Sequence, residues 1–350
     1  MVDDAKLHQF VGQMLSDLGG AASVALVRMG DALGLYKTLH TRGPMTVGEL
    51  AAAAGVNERY LREWASHQAA SNYLSYDPAT QKFTLPEEQA MVFAIDDSPV
   101  NMLGAFDGIV AWLGNQEKVQ PAFKNGGGVS WGDQTSCLFC AVARFFRPGY
   151  HNNLVGNWLP ALDGVVERLR AGARVADVGC GHGASTIIMA RAFPESQFVG
   201  IDYHAESVKT AELRARAAGV DNLRFEIATA KDYQGRNFDL VCFMDCLHDL
   251  GDPLGALVHA RDALNSDGKL MLVEPYAGDA VEENLNPIGR LFYAASAMAC
   301  TPNSLSQEVG LGLGAQAGEE RLRRLAQQAG FRDLRLATQT PVNLVLEVLR

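Results

Sequence analysis

The stretch Arg174-Val175-Ala176-Asp177-Val178-Gly179-Cys180-Gly181-His182-Gly183-Ala184 carries an apolar segment directly into three glycines spaced two apart, and a helix-forming segment follows to residue 193. A short apolar run ending in glycines reads as a buried strand that turns sharply into a helix N-terminus, where backbone can approach a ligand closely. Working outward, the spacing predicts a strand over 197–201, a helix over 205–218, and further strands over 223–227, 240–244 and 269–274, each separated by helix or turn. Strands alternating with helices predict an α/β fold with a mostly parallel sheet. The end of the chain departs from that rule. A helix over 318–329 stops at Gly330, and apolar alternation over 331–337 and 342–349, split by Pro341, predicts two antiparallel strands at the sheet's edge.

The N-terminal third has a different texture. Apolar residues at helical spacing fill 21–39, Gly43-Pro44 breaks the pattern, and Thr46 with Glu49 forms a capping box for a helix that ends at Gly55. Asn57 then caps a helix carrying Tyr60, Leu61 and Trp64 on its apolar face, and short strand-like pieces over 73–76 and 82–85 flank the turn Asp77-Pro78. Helix, helix-turn-helix and hairpin together make a winged-helix pattern. The expected organisation is a mainly helical winged-helix domain over 1–95, connecting helices over 96–170 broken by Gly126-Gly127-Gly128 and Pro148-Gly149, and the α/β domain over 171–350.

Hydrophobic residues make up 48% of the 350, enough for two ordinary cores, and the net charge of −10 opposes approach to a nucleic acid backbone. The first ten residues lack a signal-peptide pattern, and no apolar run reaches the ~20 residues of a membrane helix, so the expectation is a cytoplasmic protein with no membrane partner. The six cysteines are expected to be reduced and buried; Cys137-x-x-Cys140 reads as two core positions of a helix, and no metal site is expected.

Asp202 ends the strand after the glycine loop, about 20 residues on, where a carboxylate can accept hydrogen bonds from a ribose. The loop fits a loose nicotinamide-binding pattern as well, through Gly179-x-Gly181-x-x-Ala184. Three further features favour another family. Asp177 precedes the first glycine, Phe238-Asp239-Leu240-Val241 is followed by Leu264-Asn265-Ser266-Asp267-Gly268-Lys269-Leu270, and the final strands run antiparallel. With the loop, these resemble the class I S-adenosylmethionine-dependent methyltransferases, which have a Rossmann-like sheet with an antiparallel C-terminal strand. The resemblance implies that Asp177, Gly179, Gly181 and Gly183 surround the methionine part of the cofactor, that Asp202 and Tyr203 meet its ribose, and that 228–232, with Thr229, Ala230 and Asp232, borders adenine. Thr229 stands where many relatives carry an acid. Asp245, at the end of the fourth strand, stands where it can contact the cofactor's ammonium or sulfonium; the product would be S-adenosylhomocysteine.

Methyl transfer to a hydroxyl needs a base just past the fourth strand of the sheet. His248-Asp249 stands there, similar to the His-Asp signature of winged-helix small-molecule O-methyltransferases, whose histidine is the general base; an imidazole with a pKa of roughly 6.5 suits that role. The other reading of His248 is a helix cap or a residue packed beneath the cofactor. The segment 276–314, with Phe292, Tyr293 and Met298, resembles a lid over the acceptor, and with Trp112, His151 and Trp158 it implies a small aromatic or apolar substrate; the same residues also suit a helical core. By that resemblance the winged helix makes a homodimer. Two alternatives remain: a regulator that binds S-adenosylmethionine without transferring its methyl, and methylation at nitrogen, sulfur or carbon.

Overall fold

A computed structural model describes residues 1–135 and 137–350, with the side chain of Cys137 outside the description. Two compact units emerge, one of residues 1–110 with 140–148, the other of 111–139 with 149–350. The connecting segment 96–170 is divided between them.

The first unit begins with α1 (Asp4–Ala32), α2 (Leu35–Arg42), α3 (Val47–Ala54) and α4 (Glu58–Ala70). The hairpin β1 (Ser75–Asp77) and β2 (Lys82–Thr84) follows, then α5 (Glu87–Phe93) and the first part of α6 (Leu103–Asn125). The helix expected over 21–39 is two helices. Leu33 ends the first, Gly34 sits in the left-handed region at φ 67°, and α1 extends back to Asp4 under an Asp3 cap. Leu35, Tyr36 and Leu39 of α2 pack with Leu50, Leu61, Trp64 and Phe93 in the core, and the Trp64 indole donates to the Leu26 carbonyl at 2.9 Å. Gly30 permits this closeness, since a Cβ there would lie 2.6 Å from the Trp64 ring.

Only Ser23, Val24, Val27 and Gly30 of α1 are buried. Leu7, Phe10, Val11, Leu15 and Leu18 are exposed at helical spacing. By length and composition this helix is also apolar enough to cross a membrane, contrary to expectation, because one continuous helix joins apolar residues that Gln13, Ser16 and Asp17 interrupt in the sequence. On α4, Arg62 pairs with Glu58 at 2.9 Å and Arg59 pairs with Glu63.

Helix α7 (Cys137–Asn153) runs through Pro148-Gly149 rather than stopping there. Proline leaves one carbonyl of the preceding turn without its donor, a local loss that a long helix absorbs. Cys140 on this helix is exposed, not buried as expected, while Cys180, Cys242 and Cys300 are buried; the pairing of Cys140 with Cys137 falls outside the described residues.

The second unit is built on a seven-stranded sheet. After α8 (Val165–Ala171) come β3 (Arg174–Val178), α9 (Ala184–Ala192), β4 (Gln197–Asp202), α10 (Ala205–Ala218), β5 (Leu223–Ile227) and β6 (Phe238–Met244). Then follow α11 (Pro253–Ala263), β7 (Leu264–Pro275), α12 (Pro287–Ala295), α13 (Thr301–Leu305), α14 (Gly318–Gln328), β8 (Asp333–Gln339) and β9 (Asn343–Leu349). The strand order is β5-β4-β3-β6-β7-β9-β8. Strands β3 to β7 are parallel, and β9 inserts antiparallel between β7 and β8. Strands β3, β6 and β9 are buried on both faces along nearly their whole length, with Asp177 and Glu347 among the buried residues. The order reverses between β3 and β6, so the carboxyl ends of those two strands open a crevice at the switch point of the sheet.

Candidate active site

The glycine loop occupies that crevice. Gly179, Gly181 and Gly183 have φ of 75°, 52° and 74°, which L side chains rarely adopt. At Gly179 a Cβ would meet Cys246 Sγ at 2.6 Å, and at Gly183 the Phe225 ring at 2.7 Å, whereas at Gly181 it would meet nothing within 4 Å. The outer two glycines let the loop pack down; the middle one faces open space. Below the loop, Asp177 is fully buried. Its Oδ2 accepts from Ser185 Oγ at 2.6 Å and Thr186 Oγ1 at 2.7 Å, while Oδ1 has no partner. Burial pushes this carboxyl up to about 6, against the two hydroxyls that hold it down. An orphaned buried acceptor beside an open backbone cradle fits a cationic group such as the ammonium of an amino acid.

Asp202, at the end of β4, accepts from the backbone N–H of Gly181 and of His204, each at 2.9 Å, one on each oxygen. The acid thereby ties the loop to the next strand and keeps further lone pairs for a diol. Its carboxyl is raised by burial, with the two backbone donors opposing. Tyr203 beside it is exposed. In the segment expected to border adenine, Thr229 donates from both N and Oγ1 to Asp232 Oδ1, at 2.7 and 2.8 Å. That oxygen is thus committed to the turn around Ala230. Above Asp202, His204 stacks on Phe139 with ring centroids 4.6 Å apart.

Past β6, Asp245 sits at φ 52°, a strained conformation for a non-glycine residue. Its oxygens accept from Tyr150 Oη at 2.8 Å and Asn343 Nδ2 at 2.7 Å, and burial, with Glu274 nearby, pushes its carboxyl well up. His248 follows in a short helical turn and is 3% exposed. Its Nδ1 lies 2.6 Å from Glu274 Oε2, and Glu274 Oε1 accepts from the Leu247 N–H at 3.0 Å. The contact assigns the Nδ1 proton to the side facing Glu274, so that in the neutral ring Nε2 is the acceptor. Nε2 faces Asp249 Oδ1 at 3.4 Å, with Cys300 close by. Burial alone would push the imidazole down; the charges of Asp249 and Glu274 outweigh it and hold its pKa well above the usual histidine value. The ordinary value used in the sequence argument therefore does not apply. The ligand atoms of His248, Asp249 and Cys300 all fall within 4.8 Å of one another.

Residues 169–330 match the model described as a methyltransferase domain, and residues 21–94 match the Rv2258c-like winged helix-turn-helix domain. Residues 169–330 form a methyltransferase domain. Among curated proteins, an uncharacterised methyltransferase, YcgJ of Bacillus subtilis, is 30% identical over 126 residues, covering 35% of this chain and 49% of that protein. The 27-O-demethylrifamycin SV methyltransferase of Amycolatopsis mediterranei is 34% identical over 131 residues, covering 35% and 48%. The chain thus spans about half the length of the curated relatives it matches. Over whole chains the fold is similar to that of PigF, solved with SAH, at a TM-score of 0.72 and 15% identity, with 100% of each chain covered.

Within the methyltransferase domain the structure brings together Asp177, the three glycines and Asp202 on one side of the switch point, and Asp245, His248 and Asp249 beyond β6. The acceptor residues expected from sequence are more scattered. Trp158 is buried, 1% exposed, with its ring edge-on to Tyr150 at 5.9 Å, so it is wall rather than open surface. Phe292 is buried, Trp112 and Met298 are half-buried, and Tyr293 and His151 are exposed. Sequence reasoning missed Glu274, Cys300, Ser185, Thr186, Tyr150 and Asn343. For Glu274 a signal existed: an acid closing the apolar run Leu270-Met271-Leu272-Val273 is buried and needs a partner. Cys300 ends a π-helical turn, Ser296–Cys300, between α12 and α13. Such turns are frequent at functional sites, but no pattern in the residues announces one.

Proposed function

We propose that the protein is an S-adenosylmethionine-dependent methyltransferase acting on a hydroxyl of a small molecule, with His248 as general base. The observation that carries this reading is the His248–Glu274 contact of 2.6 Å at the carboxyl end of the strand that follows the glycine-loop crevice in the sheet order. The loop fits the cofactor. Asp177 Oδ1 is the buried acceptor its ammonium needs, the open side of Gly181 leaves room for its methionine part, and Asp202 presents lone pairs to its ribose. The relative that acts on 27-O-demethylrifamycin SV and the SAH-bound PigF support the same reading.

Bound there, S-adenosylmethionine supplies an electrophilic methyl on a sulfonium. The chain's own residues do the rest. Glu274 fixes the ring of His248 and its tautomer, and Nε2 takes the proton of the acceptor hydroxyl as its oxygen attacks. The charges of Asp249 and Glu274 then stabilise the imidazolium. Labelled S-adenosylmethionine offered with panels of phenols, hydroquinones, amines and thiols tests the acceptor class. Label in an O-methyl product supports the reading, and label only in N- or S-methyl products removes the oxygen assignment.

Cofactor binding is expected to be linked to protons through Asp177. Its carboxyl is raised to about 6, so below that pH it is protonated in the free protein, while an ammonium partner favours the ionised form. Affinity for S-adenosylmethionine should therefore fall as pH drops through 6, approaching about tenfold per pH unit. Calorimetry in buffers of different ionisation enthalpy should register proton release below pH 6. A flat profile from pH 5 to 7 would contradict the Asp177 contact.

The exposed stripe Leu7, Phe10, Val11, Leu15 and Leu18 of α1 supports pairing with a second copy through the N-terminal domain. Deleting residues 1–18 should turn a dimer into a monomer in sedimentation velocity, and an unchanged sedimentation coefficient per subunit mass would sink the pairing. On α4, Arg59 and Arg62 are engaged by carboxylates of their own helix, which leaves little for phosphate and disfavours a DNA-bound regulator.

A further inference from the structure

The Gly126-Gly127-Gly128 run, which in sequence only marks a break, finds a use beside the catalytic loop. A Cβ on Gly128 would lie 2.2 Å from the Ser306 backbone nitrogen and 2.5 Å from the Pro302 carbonyl oxygen, so only glycine lets the strands of chain meet there. From that point residues 128–134 run along the lid. Val129 N donates to the Pro302 carbonyl at 2.9 Å, Trp131 N to Asn303 Oδ1 at 2.9 Å, and Gln134 Nε2 to the Ala299 carbonyl at 3.1 Å. Gln134 is itself held by Asn115 Nδ2 at 2.9 Å, both side chains being buried.

The other side of the same lid segment holds the loop that carries the base. Asn303 Nδ2 donates to the Asp249 carbonyl at 3.0 Å, and Gln307 Nε2 donates to the same oxygen at 2.9 Å. Ser304 Oγ donates to the Leu250 carbonyl at 2.7 Å, and Gly251 N donates to Gln307 Oε1 at 3.0 Å. Asn303 is 4% exposed and Ser304 is fully buried. A buried amide that spends its acceptor on one segment and its donor on another fixes both, because losing either leaves a buried group unpaired.

We infer that Asn303 is a positioning residue for methyl transfer: it couples the strap at 128–134 to the His248–Asp249 loop, so that the base is aligned only while the strap is seated. This rests on the reading of His248 as the base. Asn303 touches no reacting atom in this arrangement; it acts through Asp249.

The test uses the full-length chain with three substitutions. Asn303→Asp keeps an acceptor for Trp131 N and loses the donor to Asp249; Asn303→Ala loses both; Gly128→Ala unseats the strap without altering Asn303. Hydrogen exchange of the protein without acceptor should quicken at 129–131 in Asn303→Ala and Gly128→Ala but not in Asn303→Asp. With an acceptor from the labelling screen, all three should lower kcat, by about threefold to tenfold for Asn303→Asp, with KM for S-adenosylmethionine unchanged. Unchanged exchange in Asn303→Ala and Gly128→Ala would overturn the coupling, and quickened exchange with wild-type kcat would overturn the positioning role. A His248→Ala enzyme of full activity would instead remove the base reading, while the exchange pattern still reports on the strap.

Discussion

Replacing His248 with alanine is expected to lower turnover of a hydroxyl acceptor by about 10²–10⁴-fold, the usual contribution of a positioned general base, while the affinity for S-adenosylmethionine stays within about twofold. The split follows from geometry. His248 spends Nδ1 on Glu274 and leaves Nε2 as the only basic nitrogen of the ring, and the hydrogen bonds that order the glycine loop belong to Asp177 and Asp202. The pH profile carries a second signature. Because Asp249 and Glu274 hold the imidazole well above its usual pKa, the neutral ring becomes abundant only as pH rises through that raised value. In the wild type, kcat/KM should therefore keep rising beyond neutral pH. Glu274→Gln removes one of the two charges, so its acid limb should move toward lower pH while the maximal rate falls, since a glutamine can present either its oxygen or its amide to Nδ1. Equal turnover by wild type and His248→Ala at every pH would leave His248 as a packing residue only.

Asp202→Ala is expected to abolish measurable binding of S-adenosylmethionine. Two losses combine. The ribose loses an ionised acceptor, each such hydrogen bond contributing about 1.5–3 kcal/mol, and the backbone N–H groups of Gly181 and His204 lose the carboxylate that orders them. About 3–6 kcal/mol follows from two such bonds, or on the order of 10²–10⁴-fold in affinity. Asp202→Asn separates the contributions, because the amide keeps one acceptor for Gly181 N and loses the charge. An Asp202→Ala protein that binds S-adenosylmethionine as the wild type does would place the ligand elsewhere.

Much of this was legible before any coordinates, and the reason is local. The glycine loop, Asp177 and Asp202 lie in adjacent strand-loop-helix units, where spacing alone sets them at the same end of a parallel sheet. The capping box at Thr46 and Glu49 and the αL stop at Gly55 are likewise written in neighbouring residues. Boundaries without a strong local marker were read less well. Leu33-Gly34 splits a helix whose apolar pattern runs on unbroken, and Pro148-Gly149, a strong breaker in isolation, is carried inside α7. The cluster around His248 was only partly legible for another reason. His248 and Glu274 are 26 positions apart and meet only because β6 and β7 are neighbours, and Tyr150 meets Asp245 across 95 positions. No periodicity encodes those pairings; the first follows from strand order and the second from where α7 brings Tyr150.

The measurement that bears most directly on the central claim is a calorimetric titration of the unmodified chain with S-adenosylmethionine and, separately, with NAD. The glycine loop satisfies a loose pattern for both, whereas the orphaned oxygen of Asp177 suits a ligand that brings a donor such as an ammonium to that position. Saturable binding of one S-adenosylmethionine per chain, with no heat from NAD, is the expected result. Binding of NAD with no response to S-adenosylmethionine would contradict it.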